Sequence, residues 1–190
     1  MGPMKAGVLA LQGDFREHAR ILAGCGVTPV LVRTPGELVE VDCLVIPGGE
    51  STTIGRLARS HGLVEPIRER AEKGMPVFGT CAGMIAMAKE VVRGEPLLSL
   101  MDLQVERNAY GRQLDSFEAD VAVRGVEGPP LRAVFIRAPV VGTVGEDVDV
   151  LAEHDGHPVV CEQGNLLVAA FHPELAADAR LHHRLLEKAS

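Results

Sequence analysis

Short apolar runs, many of them β-branched, alternate with amphipathic stretches through the first half of the chain. Ala6–Leu11 reads as a buried strand. After Gln12-Gly13, the helical spacing of Phe15, Ala19 and Leu22 places a helix over about Asp14–Ala23, with Asp14 and Glu17 at capping-box spacing. Val27–Arg33 is a second strand, and Thr34-Pro35-Gly36-Glu37 then supplies an N-cap, a proline at the first helical position and an acid in the first turn. Cys43–Ile46 is a third strand, ending abruptly at Pro47-Gly48-Gly49. Helical patterns fill Thr53–Ser60, with Ser51 or Thr52 available as a cap, and Val64–Lys73. Val77–Gly79 is a fourth strand that enters Thr80-Cys81-Ala82-Gly83, with a helix over Met84–Val92 behind it. Strand and helix alternating at this spacing predict right-handed βαβ units and a parallel sheet.

The second half is strand-rich. Leu103–Arg107, Phe117–Val123, Ala133–Ile136, Val148–His154, Val159–Gln163 and Leu166–Phe171 all read as strands, and Asp155-Gly156 between two of them is a hairpin signal. A helix over about Asp178–Lys188 closes the pattern. With no repeat, linker or low-complexity tract, the reading is one α/β domain over residues 1–190, parallel first and antiparallel-rich later.

Composition narrows the classes without naming a function. Nineteen basic against twenty-six acidic residues leave a net charge of −7, which argues against a general nucleic-acid binder. No apolar run approaches the roughly 20 residues that span a bilayer, and the N-terminus does not read as a secretory signal. The four cysteines, at 25, 43, 81 and 161, form neither a CxxC pair nor a regular framework. That spacing points away from disulfide scaffolds and structural zinc, and toward a reduced, cytoplasmic protein with no metal. Cys25, Cys43 and Cys161 sit among apolar neighbours and read as core residues.

Cys81 differs from the other three. Gly79-Thr80-Cys81-Ala82-Gly83 is G-x-C-x-G between a strand and a helix, the cysteine form of a nucleophile elbow, whose tight turn needs small neighbours. A small-residue turn whose cysteine merely packs is the other reading. Phe171-His172-Pro173-Glu174 follows a second apolar strand, so His172 falls at a strand end where α/β sites form, with Glu174 placed to orient it. Pro47-Gly48-Gly49-Glu50-Ser51 again follows a strand. Its glycines suit backbone N–H donation to an oxyanion, although a plain turn or a phosphate loop is also open; the Walker spacing is absent.

These three segments, in this order, resemble the class I, triad-type glutamine amidotransferases. Leu11-Gln12-Gly13, Pro47–Thr53, Val105-Glu106-Arg107-Asn108 with Gly111-Arg112-Gln113, Asp115-Ser116-Phe117-Glu118 and Phe135-Ile136-Arg137-Ala138-Pro139 sharpen the resemblance to the glutaminase subunits of pyridoxal 5′-phosphate synthase, from Gly7 to about Leu186. The resemblance implies a three-layer, flavodoxin-like fold with a mostly parallel central sheet. It implies that Cys81 attacks the amide of L-glutamine, that His172 moves protons and that Glu174 holds His172. Gly49 and Ala82 would form the oxyanion hole. Gly49, Glu50, Ser51, Arg107, Ile136 and Arg137 would bind substrate, an arginine suiting its α-carboxylate. Gln12 and Gly13 would face a partner synthase that receives the ammonia, with no cofactor on this chain; such a chain ends without a synthetase domain of its own. Another cysteine amidohydrolase of the same fold, or a non-catalytic scaffold, are the rival readings.

Among the weaker features, His154 and His157 flank the hairpin turn and make a poor zinc pair. His182 and His183, adjacent on a helix, read as surface or partner-contact residues. Val140-Val141-Gly142 departs from the family pattern, in which relatives carry a His, and leaves that loop's shape open.

Overall fold

The computed structural model describes residues 2–107 and 116–190. The strands are β1 (Lys5–Leu9), β2 (Thr28–Val32), β3 (Cys43–Ile46), β4 (Val77–Thr80), β5 (Ala88–Val91) and β6 (Met101–Glu106), then β7 (Ser116–Val121), β8 (Leu131–Ile136), β9 (Val140–Val144), β10 (Asp149–His154), β11 (His157–Gln163) and β12 (Leu166–Ala169). The helices are α1 (Phe15–Gly24), α2 (Pro35–Val39), α3 (Ser51–Ser60), α4 (Val64–Glu72), α5 (Ala82–Met87) and α6 (Arg180–Lys188), with a 3-10 turn at Pro173–Ala176.

Seven strands form one sheet in the order β10-β11-β12-β4-β3-β1-β2. The five from β12 to β2 are parallel, and β10-β11-β12 is an antiparallel flank. Every residue of β3, β4 and β12 is buried, the signature of strands covered on both faces. The anticipated Asp155-Gly156 turn joins β10 to β11, both residues having positive φ and His154 pairing with His157. A three-stranded sheet, β5-β6-β9, and a ribbon, β7-β8, stand beside the main sheet.

Register decides where chemistry collects. Ile46 at the end of β3 pairs with Gly79 of β4, and Thr80 at the end of β4 pairs with Ala169 at the end of β12. The segments after these strands therefore emerge at one sheet edge, the carboxyl edge where ligands of α/β sheets bind. They are Pro47-Gly48-Gly49, Cys81 and Phe171-His172. The segment after β1, Gln12-Gly13, reaches the same place.

Several local expectations need correction. The helix expected over Met84–Val92 stops at Met87, and Ala88–Val91 is a strand. The carbonyls of Ala86 and Met87 accept from the N–H groups of Leu98 and Leu100, and Ala88 then pairs with Met101, so returning chain replaces the next helical turn. Val140-Val141-Gly142, read as a loop of open shape, lies in β9, which pairs with β6. The cap of α3 is neither Ser51 nor Thr52. Glu50 accepts from the N–H groups of Thr52 and Thr53 at 2.9 and 2.7 Å. Asp14 precedes α1 but its side chain does not cap it. By contrast, Thr34 caps α2 as anticipated, and Glu37, read only as a first-turn acid, completes a reciprocal capping box with it. Among the described residues no helix is long and apolar enough to cross a membrane.

Candidate active site

The G-x-C-x-G segment folds as a strained elbow. Cys81 has φ 51° and ψ −106°, an arrangement L-residues adopt at a cost of about 1–3 kcal/mol. Three close backbone approaches hold it. The Cys81 N–H donates to Ala169 O at 2.9 Å, tying the elbow to β12. A Cβ on Gly79 would lie 2.6 Å from the Gly83 carbonyl, and one on Gly83 would strike the Ile46 carbonyl. The requirement for small neighbours thus has named atoms behind it. Cys81 itself is only 6% exposed, and its Sγ lies 3.7 Å from the Ile136 carbonyl as a weak donor.

His172 stands beside the elbow. A Cβ on Gly48 would clash with His172 Cε1 and lie 3.4 Å from Cys81 Cβ, so only glycine leaves room beside the pair. The ring's Nδ1 lies 2.6 Å from Glu174 Oε1 and 3.3 Å from Asp14 Oδ2. A backbone bond of 2.8 Å from the His172 N–H to Val134 O ties this loop to the ribbon. Burial works against a charge on the ring, but hydrogen bonding to Asp14, Cys81 and Glu174 outweighs it and pushes the His172 pKa up to about 12. Burial raises the Glu174 pKa, and the His172 ring opposes that rise. Nδ1–H donation to Glu174 leaves Nε2 as the nitrogen free to exchange a proton with the thiol.

A cleft of about 540 Å³ opens over the thiol. Gly49, Glu50, Ser51, Ala82, Arg107, Ile136 and Arg137 all line it, together with Cys81 and His172. Of the residues singled out in the sequence, Glu174 instead lies buried behind His172, and Gln12-Gly13 lies behind the glycine loop. The Glu50 carboxylate is spent as the α3 cap, and its bonds to Thr53 and Thr52 lower its pKa to about 2. What Glu50 offers the cleft is therefore backbone more than free charge. Arg107 Nη1 donates to Thr52 Oγ1 at 3.2 Å, and Arg137 holds a positive φ of 45° at the end of β8. Asn108, Gly111, Arg112, Gln113 and Asp115, which contributed to the resemblance, lie outside the described residues.

Gln12-Gly13 packs directly on the glycine loop. Gln12 Oε1 accepts from the Glu50 N–H at 2.8 Å, and the Asp14 N–H donates to Gly48 O at 3.1 Å. Gly13, at φ +94°, presses so close to the Gly48 carbonyl that any side chain there would overlap it.

The sequence reading missed four polar residues around this site. Asp14 and the buried Thr80 are two of them. The others are His18 and His182, both completely buried, which overturns the surface reading of His182. His18 shares a helix face with Phe15 and Leu22, and His182 shares one with Leu185 and Leu186, all at three- or four-residue spacing. That periodicity was the available signal. His183, one position on, lies off that face. Cys43 and Cys161 are buried as anticipated, and Cys25 is partly exposed, 3.7 Å from His183 Nε2.

Comparison with known proteins supplies the lineage. A family model described as the SNO glutamine amidotransferase family matches residues 8–190. A Frankia alni protein named pyridoxal 5'-phosphate synthase subunit PdxT is 56% identical, over 98% of this chain and 94% of that one. A protein of the same name from Pelotomaculum thermopropionicum is 54% identical, over 97% and 95%. A crystal structure of a glutamine amidotransferase superposes with a TM-score of 0.92 at 49% identity, covering 97% of this chain and 98% of that one. The PurLQS structure from Thermotoga maritima, at a TM-score of 0.71 and 18% identity, shares the fold. The chain belongs to the SNO glutamine amidotransferase family.

Proposed function

We propose that this chain is the glutaminase subunit of a pyridoxal 5′-phosphate synthase, hydrolysing L-glutamine to L-glutamate and ammonia and passing the ammonia to a synthase partner. The observation that carries this reading is the convergence of Cys81, after β4, with His172 and Glu174, after β12, beneath one cleft. His172 takes the Cys81 proton on Nε2, and the sulfur attacks the side-chain amide carbon of glutamine. The oxyanion meets backbone N–H groups of Gly49 and Ala82; Ala82, first in α5, has no intrahelical acceptor for its own. His172 returns its proton to the nitrogen as the C–N bond breaks, releasing ammonia and leaving a thioester. Water, deprotonated by the same ring, then attacks the thioester and frees glutamate and the thiol. Arg107 and Arg137 suit the α-carboxylate, and Gly49, Glu50, Ser51 and Ile136 shape the remainder.

Gln12-Gly13 gives the partner a route to the oxyanion hole, because moving this segment moves Gly48, Gly49 and the Glu50 N–H with it. Turnover is therefore low for the isolated chain and rises when the cognate synthase is added. Treating the protein with an electrophilic glutamine analogue, with and without the synthase, and mapping the labelled peptide tests both points. Label on Cys81 that increases with the synthase supports the reading. Label elsewhere removes the nucleophile, and high turnover indifferent to the synthase removes the coupling.

A further inference from the structure

Behind Glu174 lies a buried polar chain that the mechanism above does not use. Glu174 Oε1 is taken by His172, whereas Oε2 has no hydrogen bond of standard geometry and lies 3.4 Å from His18 Nε2, with both side chains at 0% exposure. The same His18 nitrogen is 3.2 Å from Oγ1 of Thr80, the residue that precedes Cys81. On its other side, His18 Nδ1 lies 2.8 Å from His182 Nε2 on α6. Phe78 closes the cluster with an edge-on contact to His182 at 5.5 Å. Two imidazoles inside an apolar core are a net cost unless their hydrogen bonds do something a hydrophobic pair cannot.

We infer that His18 is a positioning residue of the glutaminase site: its Nε2, hydrogen-bonded to Thr80 Oγ1 at 3.2 Å and 3.4 Å from Glu174 Oε2, fixes the carboxylate that holds His172, and His182 fixes the tautomer of His18. The chemistry of the partners selects this arrangement. A carboxylate oxygen only accepts, so the His18 nitrogen facing it carries the hydrogen. His18 Nδ1 is then an acceptor, and His182 Nε2–H donates to it. His182 Nδ1 has no hydrogen bond of standard geometry, although the Asp178 backbone acts on the ring. Both rings are neutral, as this requires. Burial, with His182 and His172 adding to it, holds His18 well below the ordinary histidine value, and burial brings His182 down to about 4. One ring thereby links α1, the nucleophile's strand and the turn carrying Glu174.

The inference rests on the glutaminase reading, and its test keeps the two apart. Ammonia release from L-glutamine by the full chain with its cognate synthase is compared for wild type, His18→Leu and His18→Gln, with melting curves confirming the fold. A glutamine side chain places an N–H donor near the position of Nε2, whereas leucine fills space without one. His18→Leu should lose about 10- to 100-fold in kcat with KM nearly unchanged, the pattern for loss of a group that orients the reacting residues. His18→Gln should recover most of that loss. If His18→Leu does not fold, His18→Asn replaces it, since its shorter amide cannot reach Glu174, and it should be impaired where His18→Gln is not. Equal kcat for the donor and non-donor variants overturns the inference, whether both match wild type or both are depressed. A wild-type complex that neither releases ammonia nor takes the glutamine-analogue label on Cys81 overturns the glutaminase reading instead.

Discussion

Two carboxylates reach the same nitrogen of His172. Glu174 comes from the interior at 2.6 Å with a side chain that is 0% exposed, and Asp14 comes from the cleft side at 3.3 Å with a side chain that is 36% exposed. Both are acids on short connections near the sheet edge, yet their settings give them different weight. An interior ion pair is little screened, and removing one member strands the other. A half-exposed pair is screened by water and salt, and the median pair of that kind contributes little. In the proposed triad, burial as well as proximity to the imidazole therefore favours Glu174 as the orienting acid.

Glu174→Gln is the largest break of that comparison. The amide preserves shape but removes the charge that favours the imidazolium, and it can turn its NH2 toward Nδ1 and impose the wrong tautomer. A loss of at least ~100-fold in kcat is expected, by analogy with neutralised orienting acids in other triads. The pH profile should change as well. In the proposed reaction the ring donates a proton to the leaving nitrogen, so activity should fall at alkaline pH where it deprotonates. With the His172 pKa up at about 12 the plateau runs far into the alkaline range. Loss of Glu174 should draw the alkaline limb back toward neutrality. An unmoved limb would mean that Asp14 or the thiol dominates the ring.

Stability against pH separates the interior from the cleft in a second way, through opposite signs. For His172 the folded value is raised above the unfolded value near 6.5, so its contribution is complete below that value and is lost as pH climbs toward about 12. His182 has a folded value lowered to about 4, so the unfolded chain binds the extra proton. That penalty on folding begins below about 6.5 and is complete near pH 4. His182→Leu should therefore flatten the decline in melting temperature between pH 6.5 and 4 relative to wild type. A parallel decline would place the acid sensitivity in His18 and the carboxylates instead.

Legibility follows the same division. The elbow could be read because its demands fall on adjacent residues: Gly79 and Gly83 must be glycine for reasons one short motif contains. His172 and the Gly48-Gly49 loop could be read because each directly follows an apolar strand, and a parallel sheet sends such ends to one edge. Asp14 could not. Its spacing to Glu17 imitates a capping box, and only the docking of Gln12-Gly13 on Gly48 turns its carboxylate to His172. His182 could not be placed from its neighbour His183, since adjacency shows only that the two diverge; its spacing to Leu185 and Leu186 is what puts it on the apolar face of α6. The change from α5 to β5 was equally hidden, because Leu98 and Leu100 supply the donors that end the helix.

Asp14→Asn is the mildest and most discriminating test of the comparison. The substitution keeps the backbone N–H that binds Gly48 O and removes only the charge facing His172, so the glycine loop and the Gln12 contact to Glu50 should stay in place. At ordinary ionic strength kcat should fall by no more than about threefold, in keeping with a partly exposed pair worth under about 1 kcal/mol. Because a half-exposed charge is screened, the gap between wild type and Asp14→Asn should narrow as salt is raised from about 0.01 to 1 M, over which the Debye length shrinks from about 30 to 3 Å. Glu174→Gln should show no such narrowing. If Asp14→Asn instead cost as much as Glu174→Gln, independently of salt, the orienting role would belong to both acids, and burial would no longer tell them apart.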